Sequence, residues 1–153
     1  MANKRLELIV DELLEKAGST AVVVLEDYFG GNRFAGGKYS MGTHTITLYI
    51  EEIKKQCQQI FSSLDHFEDY FAVVCAHEIG HAEDRELGEL ADRFDLAATS
   101  QERNQLALRI EENAWEFAEK LLGHINIAFV KTIIYHSLQP YMELLEAEAA
   151  EAV

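Results

Sequence analysis

The chain has 153 residues, 48% hydrophobic and 26% charged, values typical of a folded globular protein rather than a disordered one. A formal net charge of −14 repels phosphate backbones and anionic bilayers, so neither nucleic acid nor membrane is expected as a partner. Two cysteines are too few for a disulfide framework, and no apolar run reaches the roughly 18 residues of a membrane span. The first 18 residues break their apolar positions with charges and lack a signal-peptide core, so the expectation is one cytoplasmic domain over residues 1–153.

In chain order, residues 3–17 place Leu6, Ile9, Val10, Leu13 and Leu14 at helical spacing before Gly18. Residues 21–25 are β-branched and apolar and read as a strand, bounded beyond Asp27 by a Gly30-Gly31 turn. Residues 32–40 read as a second, weaker strand interrupted by Gly36-Gly37. Residues 43–50 alternate, with Ile46, Leu48 and Ile50 facing one way and Thr45, Thr47 and Tyr49 the other. From residue 51 onward the pattern is helical. It predicts helices over 51–62 and 66–84, an acidic, alanine-bearing stretch over 86–98, and a long amphipathic helix over 101–122 ending at Gly123. Residues 125–137 are strongly apolar, and Pro140 falls where the first turn of a last helix would start. The tail spaces four glutamates from Glu143 to Glu151 among alanines, as a solvated helical end does. The fold class is α+β, with a small sheet and a helical half.

Residues 77–81 read His-Glu-Ile-Gly-His. Helical positions four apart are separated by about 40° and about 6 Å of rise, so His77 and His81 can share one ion. Neutral imidazoles suit Zn²⁺, an open position admits a water, and Glu78 stands beside it as general base. A pair of surface histidines would need a polar face. Instead the motif follows Phe71-Ala-Val-Val-Cys-Ala, where a glutamate is costly to bury alone and where Cys75 reads as a reduced, buried thiol.

A catalytic zinc needs a third protein ligand. Six residues after His81, where a metzincin would place it, stands Leu87, and Asp84 lies too close on the same helix for more than a supporting role. Projecting residues 103–122 at about 100° per residue gathers the apolar side chains in one sector. Glu111 breaks that sector, flanked along its stripe by Ala107, Ala114 and Ala118, whereas Glu112 falls on the polar face. Exposure of Glu111 by a mis-phased helix is the competing reading. One divalent cation between the helices would answer both anomalous carboxylates, with His77, His81 and Glu111 as ligands.

His77-Glu-Ile-Gly-His81, followed about thirty residues on by Glu111-Glu-Asn-Ala-Trp115, resembles small bacterial and phage-type zincins of the gluzincin class. Residues 43–122 resemble the compact core of minigluzincin-like and ImmA/IrrE-type zinc metallopeptidases. The resemblance implies Glu111 as ligand and a zincin-like core. It also implies a short mixed sheet whose edge strand, assigned to residues 43–50, lies beside the cleft and pairs with an extended peptide. The chain departs from related zincins at Trp115, where an acidic residue or asparagine often stands.

For an oxyanion-stabilising donor the candidates are Tyr135, His136, Tyr141 and His124, with Tyr135 and His136 first. His44 and His66 read as element-end residues, and Gly80 as leaving room beside the metal. The expected function is zinc-dependent hydrolysis of a peptide or protein substrate. The alternatives are a weak or inactive zinc-containing peptide-binding module and a purely structural zinc site.

Overall fold

The computed structural model describes residues 2–29 and 36–152. Among them the order is α1 (Ala2–Ala17), β1 (Val22–Glu26), β2 (Gly37–Ser40), β3 (Thr45–Tyr49), α2 (Ile50–Phe61), α3 (Phe67–Ala82), α4 (Leu87–Leu96), α5 (Ser100–Leu121) and α6 (Ile127–Ala152). This is an α+β fold with a three-stranded mixed sheet. The Gly30-Gly31 turn and the first part of the strand expected over 32–40 lie outside the described residues. No helix among the described residues is long and apolar enough to cross a membrane.

α1 ends where Gly18 takes a positive φ of 65°, a left-handed conformation that costs glycine little. α5 begins at Thr99, whose side chain accepts a hydrogen bond from the Glu102 backbone N–H, occupying one donor that the helix start leaves free. α3 is the central element and packs against α1, α2, α5, β2 and β3. Its segment from Tyr70 to Ala76 is buried on every side, as are Ile79 and Gly80, so a run that is apolar nearly all round becomes the core helix. Cys57 and Cys75 are buried free thiols, and burial pushes the pKa of both up.

Two expectations are corrected. The strand within residues 43–50 is not an edge. β3 lies in the middle of the order β1-β3-β2, parallel to β1 and antiparallel to β2. Ile46 and Leu48 on one face are fully buried, and Thr47 and Tyr49 on the other are buried too, at 8% and 3% exposure. Threonine and tyrosine suit a covered strand as well as an exposed one, so alternation alone does not separate the two. The edge strand beside α3 is β2. Second, Pro140 does not open a last helix but lies inside α6, which runs unbroken through it. Proline removes one backbone bond, at a cost of about 3 kcal/mol in a helix interior. Packing on both sides offsets that cost. Val130 and Ile133 are buried before Pro140, and after it Glu148 accepts hydrogen bonds from Ser100 and Asn104 of α5 at 3.0 and 2.7 Å.

Two elements approach closely at Gly80. A β-carbon there would fall on the Ala114 carbonyl oxygen of α5 and 2.8 Å from its carbonyl carbon. Gly80 therefore makes room for the α5 backbone, not for a metal as the sequence suggested. Ala114 and Ala118, both fully buried, complete the contact. Gly80→Ala is expected to destabilise the protein by about 2–3 kcal/mol in denaturant unfolding. Unchanged stability would mean that α3 and α5 do not touch there.

Candidate metal centre

His77, Glu78 and His81 sit on the last turns of α3, and one donor atom from each lies within 4.8 Å of the others, a group able to hold a metal ion. The Gly80–Ala114 contact brings α5 against this turn, which sets Glu111 across both imidazoles. Its Oε1 is 3.2 Å from His77 Nε2 and its Oε2 is 3.0 Å from His81 Nε2. These four side chains are at most 15% exposed. Glu112, one residue on, is exposed. The carboxylate that broke the apolar sector is thus the one that meets the histidines.

His77 Nδ1 donates to Glu78 Oε2 at 3.1 Å. On the other edge of the ring, His77 Nε2 is buried without a hydrogen-bond partner, although Glu111 Oε1 stands 3.2 Å away. The two rings stand edge to face, centroids 4.7 Å apart. Trp115 stacks on His77 at 4.3 Å with an interplanar angle of 23°, and its indole N–H donates to Ser137 of α6 at 3.1 Å.

The electrostatics follow from burying two carboxylates beside two imidazoles. Burial opposes charge on His77, but Glu111 and Glu78 outweigh it and push the pKa up to about 10. Burial likewise disfavours the Glu111 carboxylate, and the two histidines more than offset this, holding it well below the usual carboxylate range. The two carboxylates therefore favour positive charge in the centre, and they make His77 hold a proton more readily than a free imidazole does.

The centre lies between two hollows that share Gly37, His77, Glu78 and Glu111. One, of about 490 Å³, is walled by Gln56, Tyr70, Val74, Ile133 and His136. The other, of about 480 Å³, is walled by Tyr39, Met41, Leu87, Ile110 and Tyr141. β2 forms the rim, and Gly37 opens it. A β-carbon at Gly37 would stand 2.9 Å from Glu78 Cγ.

Of the expected donors, His136 and Tyr141 line these hollows, whereas Tyr135 is 60% exposed and lines neither. His124 borders a separate hollow beside α1. His44 has a positive φ of 51° and pairs through Nδ1 with the Tyr39 hydroxyl at 2.7 Å, and His66 packs on Phe129. Asp84 accepts a hydrogen bond from the Glu86 backbone N–H at 2.9 Å and serves the α3–α4 turn rather than the centre. Sequence reasoning did not find the parts played by Gly37 and Trp115. The glycine pair read as an interruption, and the only tryptophan in the chain read as a departure from a pattern. Comparisons with protein-family models, with curated proteins and with solved structures find no significant match.

A metal ion entering this centre must displace the His77 proton, so affinity should rise with pH and level off near pH 10. At pH 7, calorimetric titration with zinc in buffers of different ionisation enthalpy should show release of about one proton per ion bound. No proton release would mean that His77 is neutral before binding.

Proposed function

We propose that this chain is a zinc-dependent metallopeptidase of the gluzincin type, with a zincin-like core and His77, His81 and Glu111 as the metal ligands. One observation carries the reading: the Glu111 carboxylate spans the Nε2 atoms of His77 and His81 at 3.2 and 3.0 Å, with His77 Nε2 buried and unpartnered. Tetrahedral zinc with bonds of about 2.0–2.1 Å holds its ligand atoms about 3.3 Å apart, close to these spacings. Two neutral imidazoles and one carboxylate are a catalytic rather than a structural donor set, because a position stays open. A purely structural site would also have no use for Glu78.

Zinc, when bound, supplies Lewis acidity towards a water and a substrate carbonyl. The chain supplies the rest. Glu78, on the same turn as both histidines, takes a proton from the attacking water and returns it to the leaving nitrogen. Among the described residues β2 has an unpaired edge along the rim, on which an extended peptide can lie with its side chains in the two hollows. His136 lines the hollow beside His77 and Glu78 and is the favoured donor to a developing oxyanion. The net charge of −14 favours a peptide or protein substrate over nucleic acid.

A second reading, a zinc-containing peptide-binding module without turnover, is favoured by one contact, the His77–Glu78 hydrogen bond that engages the base. A library of fluorescence-quenched peptides separates the two readings. Under the first, zinc-loaded protein cleaves members of the library, and Glu78→Gln lowers the rate roughly 100- to 10,000-fold while zinc content is kept. Equal turnover by Glu78→Gln would remove Glu78 from the mechanism. Retention of library peptides without cleavage would favour the binding module.

A further inference from the structure

An imidazole ligand binds through a lone pair in the plane of its ring, so its hold on an ion depends on how well that plane is fixed. Around His77 the hydrogen bond to Glu78 fixes one edge of the ring. Glu111 lies against the other edge, at Nε2. Turning the ring about its Cβ–Cγ bond would swing Nε2 away from Glu111 and His81, and at the ring's edges one hydrogen bond, at Nδ1, resists it. The face of the ring is covered by Trp115, stacked at 4.3 Å and 23°. Trp115 is four residues after Glu111, on the same face of α5, so one helix addresses both the edge and the face of His77.

The indole is itself held. Trp115 is buried at 4% exposure, it follows the Ala114 backbone that Gly80 admits, and its N–H donates to Ser137 Oγ. Ser137 belongs to α6 and lies beside His136 and Pro140 on the wall of the larger hollow. A chain of contacts therefore runs from that wall through Ser137 and Trp115 to the plane of the first ligand.

We propose that Trp115 is the positioning residue of the metal centre, orienting His77 by stacking on its face, and that Ser137 fixes the indole for that task. The proposal rests on the zinc-site reading above. In place of an acidic or amide side chain at position 115, this centre uses an aromatic plane. The ring plane matters more than the indole N–H. A residue that keeps an aromatic face there keeps zinc, and one that keeps only apolar bulk does not.

The test compares zinc dissociation constants for the full chain, Trp115→Phe, Trp115→Leu and Ser137→Ala by competition with a chromogenic chelator. Thermal unfolding of the chelator-treated proteins monitors folding. Trp115→Leu should weaken zinc binding about 10- to 100-fold, the loss typical when a group supporting a ligand is removed. Trp115→Phe should stay within about threefold of the parent, and Ser137→Ala should fall between them. The Co²⁺-substituted proteins give a second readout: visible absorption should change in Trp115→Leu and stay parent-like in Trp115→Phe. Should the position 115 variants fail to fold, the emission of Trp115 in the parent decides. It should change on zinc addition and saturate at about one ion per chain, as expected for a ring stacked on a ligand. Parent-like zinc affinity in Trp115→Leu, or an emission indifferent to bound zinc, would overturn the proposal and leave the zinc site standing. A parent chain that takes up no zinc would overturn both.

Discussion

Two carboxylates, Glu78 and Glu111, meet two imidazoles where α3 and α5 touch, and positive charge is required there for the fold to hold them. An ionised carboxylate in an apolar interior is costly, and the cost falls only when charge and hydrogen bonds answer it. Glu111 receives that answer from both histidines at about hydrogen-bond distance, and His77 takes up a proton far more readily than a free imidazole. A divalent cation answers the same demand with twice the charge, in a place where His77 Nε2 is already buried and unpartnered.

The scaffold is arranged around that meeting point. The stretch of α3 from Tyr70 to Gly80 is buried except at His77 and has no solvated face on which Glu78 could rest, so Glu78 lies on the cleft wall. The missing side chain at Gly80 lets the α5 backbone come against α3, without which Glu111 would not reach both rings. The missing side chain at Gly37 lets β2 lie against Glu78, which places an edge strand of the described sheet on the rim of the centre. α6 closes the far wall, and its Ser137 reaches His77 through Trp115. Backbone proximity at two glycines thus converts secondary structure into site geometry.

Much of this was legible in the sequence because the physics involved is local. A five-residue helical spacing brought His77 and His81 together, and the phase of one amphipathic helix separated Glu111 from Glu112. The helices read over 3–17, 51–62, 66–84 and 101–122 matched to within two residues at each end. Tertiary pairing was less legible. Nothing in the alternation of residues 43–50 tells a central strand from an edge strand, because threonine and tyrosine accept either place. Pro140 marks a helix start by local preference, and the tertiary contacts on either side of it, Val130 and Ile133 in the core and Glu148 on Ser100 and Asn104, are not visible in the local sequence. Of the donor candidates on α6, helix phase and packing bring His136 to the cleft wall and leave Tyr135 exposed. Glycine needed for close approach looks like glycine that interrupts a strand until the neighbouring backbone is known, which hid the purpose of Gly37, and the space at Gly80 was assigned to a metal rather than to the α5 backbone.

The central claim is that a metal ion is held between α3 and α5 by His77, His81 and Glu111. It is tested most directly by elemental analysis of the purified chain beside Glu111→Ala and Glu112→Ala. The account predicts about one zinc per chain in the parent, lost in Glu111→Ala and kept in Glu112→Ala. A parent chain without metal after zinc is supplied at neutral pH, or a Glu111→Ala protein that retains it, would contradict the account.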